Sequence, residues 1–159
     1  MNKTGIIVTG GTIEDTFALE WLSKVQPEIL IGVDRGLEFL YRHQIEPTHI
    51  VGDFDSANQD IVAYYKRETQ VPIREFNPVK DASDTEIAVR LAIELGVEKL
   101  WILGGTGSRL DHVLANIQVL CIAQAAGVDA YIVDPNNQIS LIRSGCRITK
   151  ASAFGSYFS

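Results

Sequence analysis

Lys99-Leu100-Trp101-Ile102-Leu103-Gly104-Gly105-Thr106-Gly107-Ser108-Arg109-Leu110-Asp111 is the stretch that decides the fold. Its apolar start suits a strand, its glycines a turn, and the residues from Leu110 to Ala126 a helix stopped by Gly127. The same grammar recurs. Ile6-Ile7-Val8 runs into Gly10-Gly11, Glu28–Val33 into Asp34-Arg35-Gly36, and His49–Gly52 into Asp53. Ala130–Val133 runs into Asp134, and Val71–Phe76 is a weaker strand because Pro72 suits only a first or edge position. Helical patterns fall between these runs, around Phe17–Leu22, Leu37–Leu40 and Ile61–Thr69. Another opens at Ser83, with capping-box spacing to Glu86 and an apolar face of Ile87, Leu91 and Leu95.

Continuous apolar strands separated by helices predict an α/β fold: a mostly parallel, Rossmann-like sheet with helices on both faces. After Asp134-Pro135-Asn136-Asn137 the pattern changes to short alternating runs, Gln138–Arg143 and Cys146–Lys150, around a Ser144-Gly145 turn. That is hairpin language. The expectation is an α/β catalytic domain over 1–135 and, over 136–159, the start of an antiparallel β domain that is cut short.

The chain has 159 residues, 46% hydrophobic and 21% charged, ordinary for a globular protein. Its net charge of −6 and the lack of a basic stripe argue against broad nucleic-acid binding. No apolar stretch is long enough to span a membrane, and the cytoplasm is the expected compartment. Cys121 and Cys146 have no metal-ligand spacing and are expected to be two buried thiols.

The chemistry gathers at strand ends. Asp34 follows the second strand, Asp53 and Asp55 the third, Asp81 and Asp84 the fourth, and Arg109 and Asp111 the fifth. In open α/β sheets ligands bind at the carboxyl ends of the strands, so these residues share one address. Asp53 and Asp55 repel each other, and a divalent cation is the usual remedy. Carboxylates without a Cys/His cluster suit Mg²⁺ rather than zinc. The turn Gly104–Ser108 is neither a Walker loop nor a dinucleotide fingerprint, but its N–H groups could cradle a phosphate beside Arg109, with Lys80 opposite. The pattern points to metal-dependent phosphoryl transfer. Helix capping remains an alternative role for Asp34, Asp84 and Asp111, and a structural one for His112.

Four stretches together resemble bacterial thiamine pyrophosphokinases: Val33–Gly36, Gly52–Ser56, Lys80–Glu86 and Gly104–Asn116. The resemblance implies transfer of pyrophosphate from ATP to thiamine, giving thiamine pyrophosphate and AMP, in a homodimer with a C-terminal β-sandwich. It implies Mg²⁺ at Asp53, Asp55 and Asp81, with Asp34 and Asp84 near the metal or nucleotide. Catalysis would rest on Asp53, Asp55, Asp81, Asp84 and Arg109. ATP would meet Asp34, Arg35, Lys80, Gly105, Thr106, Gly107, Ser108, Arg109, Asp111 and His112. Two other readings remain: an aspartyl-nucleophile phosphatase built on Asp53-Phe54-Asp55, and a non-catalytic nucleotide or thiamine module.

Overall fold

In the computed structural model, which describes residues 2–75 and 82–157, the apolar runs become strands of one seven-stranded sheet. In chain order the elements are β1 (Thr4–Val8), α1 (Asp15–Val25), β2 (Ile29–Val33), α2 (Gly36–Arg42), β3 (His49–Gly52) and α3 (Gln59–Glu68). They continue with β4 (Ile73–Glu75), α4 (Asp84–Glu94), β5 (Lys99–Leu103), α5 (Leu110–Ala125), β6 (Asp129–Val133) and β7 (Gln138–Ser140).

The strand order is β4-β3-β2-β1-β5-β6-β7. All neighbours pair in parallel except β6 and β7, which are antiparallel. The chain steps outward from β1 to β4, returns through α4 to the other side of β1, and steps outward again. The direction of winding therefore reverses between β1 and β5, where a crevice opens at the carboxyl ends of the strands.

Period-two alternation divides the strand residues between two cores. Ile6, Val8, Leu30, Leu103 and Val133 pack with Ala18 and Leu22 of α1 and with Phe39 and Leu40 of α2. On the opposite face Ile7, Ile31, Val33, Val51, Ile102 and Ile132 pack with Ala88 and Ala92 of α4 and with Val119, Leu120 and Ala123 of α5. Side chains such as Ile7, Ile31 and Ile102 are fully buried, each contributing about 1.5–3 kcal/mol. Burial on both faces explains why these strands are apolar throughout rather than alternating.

Several expectations need adjustment. The buried stripe of α4 is Thr85, Ala88, Val89, Leu91 and Ala92, with Ile87 and Leu95 only partly buried. Small residues let this helix lie close to the sheet. The cysteine expectation is corrected: Cys121 and Cys146 are both exposed. In α5 the buried positions are Asn116, Val119, Leu120 and Ala123, and helical geometry puts position 121 on another face. Strand β7 extends the main sheet, whereas Cys146–Lys150 forms no strand. An alternating run becomes a strand only where a partner can satisfy its backbone.

A third cluster, Leu37, Ile50, Phe54, Ala57, Val62 and Tyr65, closes the β3 side of the sheet. Burial there, aided by the nearby Tyr64 and Glu46, pushes the Tyr65 hydroxyl up to about 12. A folded-state value above the unfolded one near 10 contributes stability that is complete below pH 10 and lost as pH rises toward 12. Tyr65→Phe should remove this part of the alkaline loss, seen as a flatter plot of denaturation midpoint against pH above 10. An unchanged slope would show that Tyr65 does not govern it.

Candidate functional site

The two loops that flank the switch point are joined by their backbones. Thr9 N–H donates to the Leu103 carbonyl at 2.9 Å, Gly11 N–H to Gly104 at 2.8 Å, and Thr12 N–H to Thr106 at 2.8 Å. Glycine is required for this approach. A Cβ on Gly11 would collide with the Gly104 and Thr106 carbonyl oxygens. Gly104 itself has φ +74°, a left-handed conformation open to glycine without a steric cost. Side chains brace the second loop: Asn116 Nδ2 donates to the Gly105 carbonyl at 2.9 Å from a buried position, and Thr106 Oγ1 donates to Asp134 Oδ2 at 2.7 Å.

Opposite this floor stand the acids. Asp34 is buried and takes φ +44°, while Phe54 takes φ +63°. Two non-glycine residues in the left-handed region cost free energy that their surroundings must offset. The compensation is visible. Asp34 Oδ1 accepts the Phe54 N–H at 3.2 Å, and the Phe54 ring is anchored in the third core cluster. Gly52 leaves room for this, since a Cβ there would strike the Asp34 carboxylate. Asp84 opens α4 behind its N-cap Ser83, whose hydroxyl accepts the Glu86 N–H at 3.2 Å. Burial raises the Asp84 carboxyl above its ordinary value.

Each of Asp34, Asp53 and Asp84 offers a carboxylate oxygen within 4.8 Å of the others. Three hard anionic donors at this spacing suit a hard divalent cation such as Mg²⁺. Asp55 stands outside the group, exposed, its N–H donating to Asp53 Oδ1 at 3.0 Å. The inward position in this loop belongs to Phe54. Lys80 and Asp81 lie outside the described residues.

A cavity of about 570 Å³ lies between floor and acids. Gly105, Thr106, Gly107, Ser108, Arg109 and His112 line it together with Asp34, Arg35 and Asp84. Arg109 and Asp111 are both exposed and paired, Nη2 to Oδ2 at 2.7 Å. The Arg109 hydrogen bonds hold the Asp111 carboxyl below the usual carboxylate range. Neither Asp34 nor Asp111 caps a helix: α2 and α5 begin behind Arg35 and Arg109, with no side-chain cap bond.

The sequence reading missed Thr9–Thr12, Thr85 and Asn116, which all line the same cavity. Thr9 and Thr85 share a buried hydroxyl–hydroxyl bond of 3.1 Å. A signal existed, because Gly10-Gly11-Thr12 repeats the tripeptide Gly104-Gly105-Thr106 after the other strand at the switch point. A larger groove of about 650 Å³ between α4 and α5 has a different character. It is apolar, and its charged residues Arg90 and Glu94 are already paired with Glu86 and Arg74.

Residues 22–132 match the family described as thiamin pyrophosphokinase, catalytic domain. Thiamine pyrophosphokinase of Bacillus subtilis (strain 168) is 30% identical over 115 residues, which cover 72% of this chain. The chain spans about half, 53%, of that relative's length. The crystal structure of thiamine pyrophosphokinase from Bacillus subtilis superposes with a TM-score of 0.70 at 31% identity, covering 84% of this chain and 61% of the other. That from Geobacillus thermodenitrificans gives 0.66 at 31%, covering 82% and 59%. The chain belongs to the family of thiamin pyrophosphokinase catalytic domains.

Proposed function

We propose that this chain carries the ATP-binding catalytic site of a thiamine pyrophosphokinase, which transfers pyrophosphate from ATP to the hydroxyethyl group of thiamine and releases AMP. The observation that supports this most is the crevice itself. Asp34 and Asp84, which with Asp53 form a three-carboxylate group, line the same cavity as the glycine-rich turns and Arg109. Asp34, Asp53 and Asp84 would hold Mg²⁺, which when bound neutralises phosphate charge and orients the oxygens around the reacting phosphorus. Backbone N–H groups of Gly105–Ser108 would receive phosphate oxygens, and Arg109 would exchange its Asp111 partner for them. Little covalent chemistry is asked of the protein, so positioning and charge neutralisation carry the rate. An aspartate of the group would accept the hydroxyl proton as the oxygen attacks.

The acidic wall should also attract the cationic thiazolium ring of thiamine. The same reading takes the protein as a cytoplasmic homodimer. No helix among the described residues is long and apolar enough to cross a membrane.

The test is direct. Incubated with ATP, Mg²⁺ and thiamine, the protein should release AMP and form thiamine pyrophosphate in equal amounts. Nucleotide binding without AMP would favour a non-catalytic module. Release of inorganic phosphate, with a phosphoryl group trapped on Asp53, would favour the phosphatase.

A further inference from the structure

Parallel pairing between β5 and β6 ends at Leu103 and Val133. Beyond this point the two loops are bridged by side chains, and the hub is a residue that the proposed reaction does not use. Asp134 Oδ2 accepts Thr106 Oγ1 at 2.7 Å. Its Oδ1 accepts the N–H groups of Asn136 at 2.8 Å and Asn137 at 2.7 Å, and Asn137 Nδ2 lies 3.0 Å from each oxygen. Thr106 is thereby held from two sides, since its carbonyl accepts Thr12 N–H at 2.8 Å. Burial opposes ionisation of Asp134, and the bonds from Asn137, Thr106 and Asn136 outweigh it, so the carboxyl stays below its ordinary value.

We propose that Asp134 is a positioning residue: it fixes Thr106 in the Gly104–Gly107 turn and ties that turn to the connection between β6 and β7. Charge-assisted bonds are about twice as strong as neutral ones, and a turn of three glycines has little stiffness of its own. Whatever moves residues 134–140 would then move the turn. The consequence for nucleotide binding rests on the proposed function; the tie itself does not.

Amide hydrogen exchange of the ligand-free protein tests the tie. Asp134→Ala and Thr106→Val should each speed exchange over residues 104–108 by about 10-fold, the loss of one charge-assisted bond. Elements such as β1 and β2 should be unaffected. Binding of Mg²⁺–ATP, measured calorimetrically, should weaken about 10-fold in either variant and no further in the double variant, because one interaction is removed twice. Thr106→Ser, which keeps the hydroxyl bonded to Asp134, should keep the parental exchange rate over residues 104–108 in the ligand-free protein. Unchanged exchange over 104–108 in both single variants would overturn the proposal, and so would additive losses in the double variant. If the parent protein does not bind Mg²⁺–ATP while exchange responds as expected, the tie stands and the nucleotide reading falls.

Discussion

Asp34→Asn is expected to abolish cation-dependent turnover while raising the melting temperature of the cation-free protein. The substitution keeps size and shape. Asparagine tolerates the left-handed backbone at this position, and its Oδ1 can still accept the Phe54 N–H that Asp34 accepts at 3.2 Å. What disappears is one of three negative charges gathered within 4.8 Å. Without a cation these charges repel, so relieving them should raise stability by about 0.5–2 kcal/mol, in the manner of other strained functional sites. With Mg²⁺ the order reverses. A cation that binds only the folded state stabilises by about 2.7 kcal/mol at a hundred times its dissociation constant. Mg²⁺ should therefore raise the parent's melting temperature and leave the variant's nearly unchanged. Groups that merely support metal ligands are worth about 10–100-fold in activity, so loss of a direct ligand should cost at least about 100-fold in AMP release. Equal Mg²⁺ shifts in parent and variant would remove Asp34 from the cation site.

Gly11→Ala should be clearly destabilising and should loosen the crevice floor. The new Cβ would meet two carbonyl oxygens, those of Gly104 and Thr106, and both belong to the loop that Gly11 itself bonds. Neither oxygen is the free end of a flexible side chain. The loop must shift, and overpacking of this kind costs about 1–3 kcal/mol. For a chain of this size each kcal/mol lowers the melting temperature by roughly 2–4 °C. Because the same shift opens the Gly104–Gly107 floor, Mg²⁺–ATP binding should fall together with stability. Gly145→Ala is the control: nothing lies within 4 Å of a Cβ there, and it should be neutral. A Gly11→Ala protein with parental melting and binding would mean that the two loops are not rigidly joined.

The strands and most helices were legible because burial on both faces leaves unbroken apolar runs, and Ser83 announced the start of α4 by its capping spacing. Less legible was anything that depends on what lies opposite. The alternation in Cys146–Lys150 is strand-like, yet among the described residues no strand pairs with it. Cys121 sits in an apolar sequence but on an exposed position of α5. At the site, composition pointed to acids, a glycine turn and Arg109, and the cavity gathers several of them. Composition could not show that Phe54 would take the inward position and leave Asp55 outside the carboxylate group.

The amino-acid sequence by itself determined the class of fold, the alternation of strands and helices along the chain, and the kinds of side chain available for a cation and a phosphate. These are local matters of periodicity, turn chemistry and charge. Only the tertiary structure decided which of those side chains meet. Asp34 and Asp84 come together because β2 and the start of α4 end beside the same crevice, and Gly11 faces Gly104 because β1 lies next to β5. Strand order follows from how two faces of a sheet can be buried at once, a property of the whole chain that no segment carries alone.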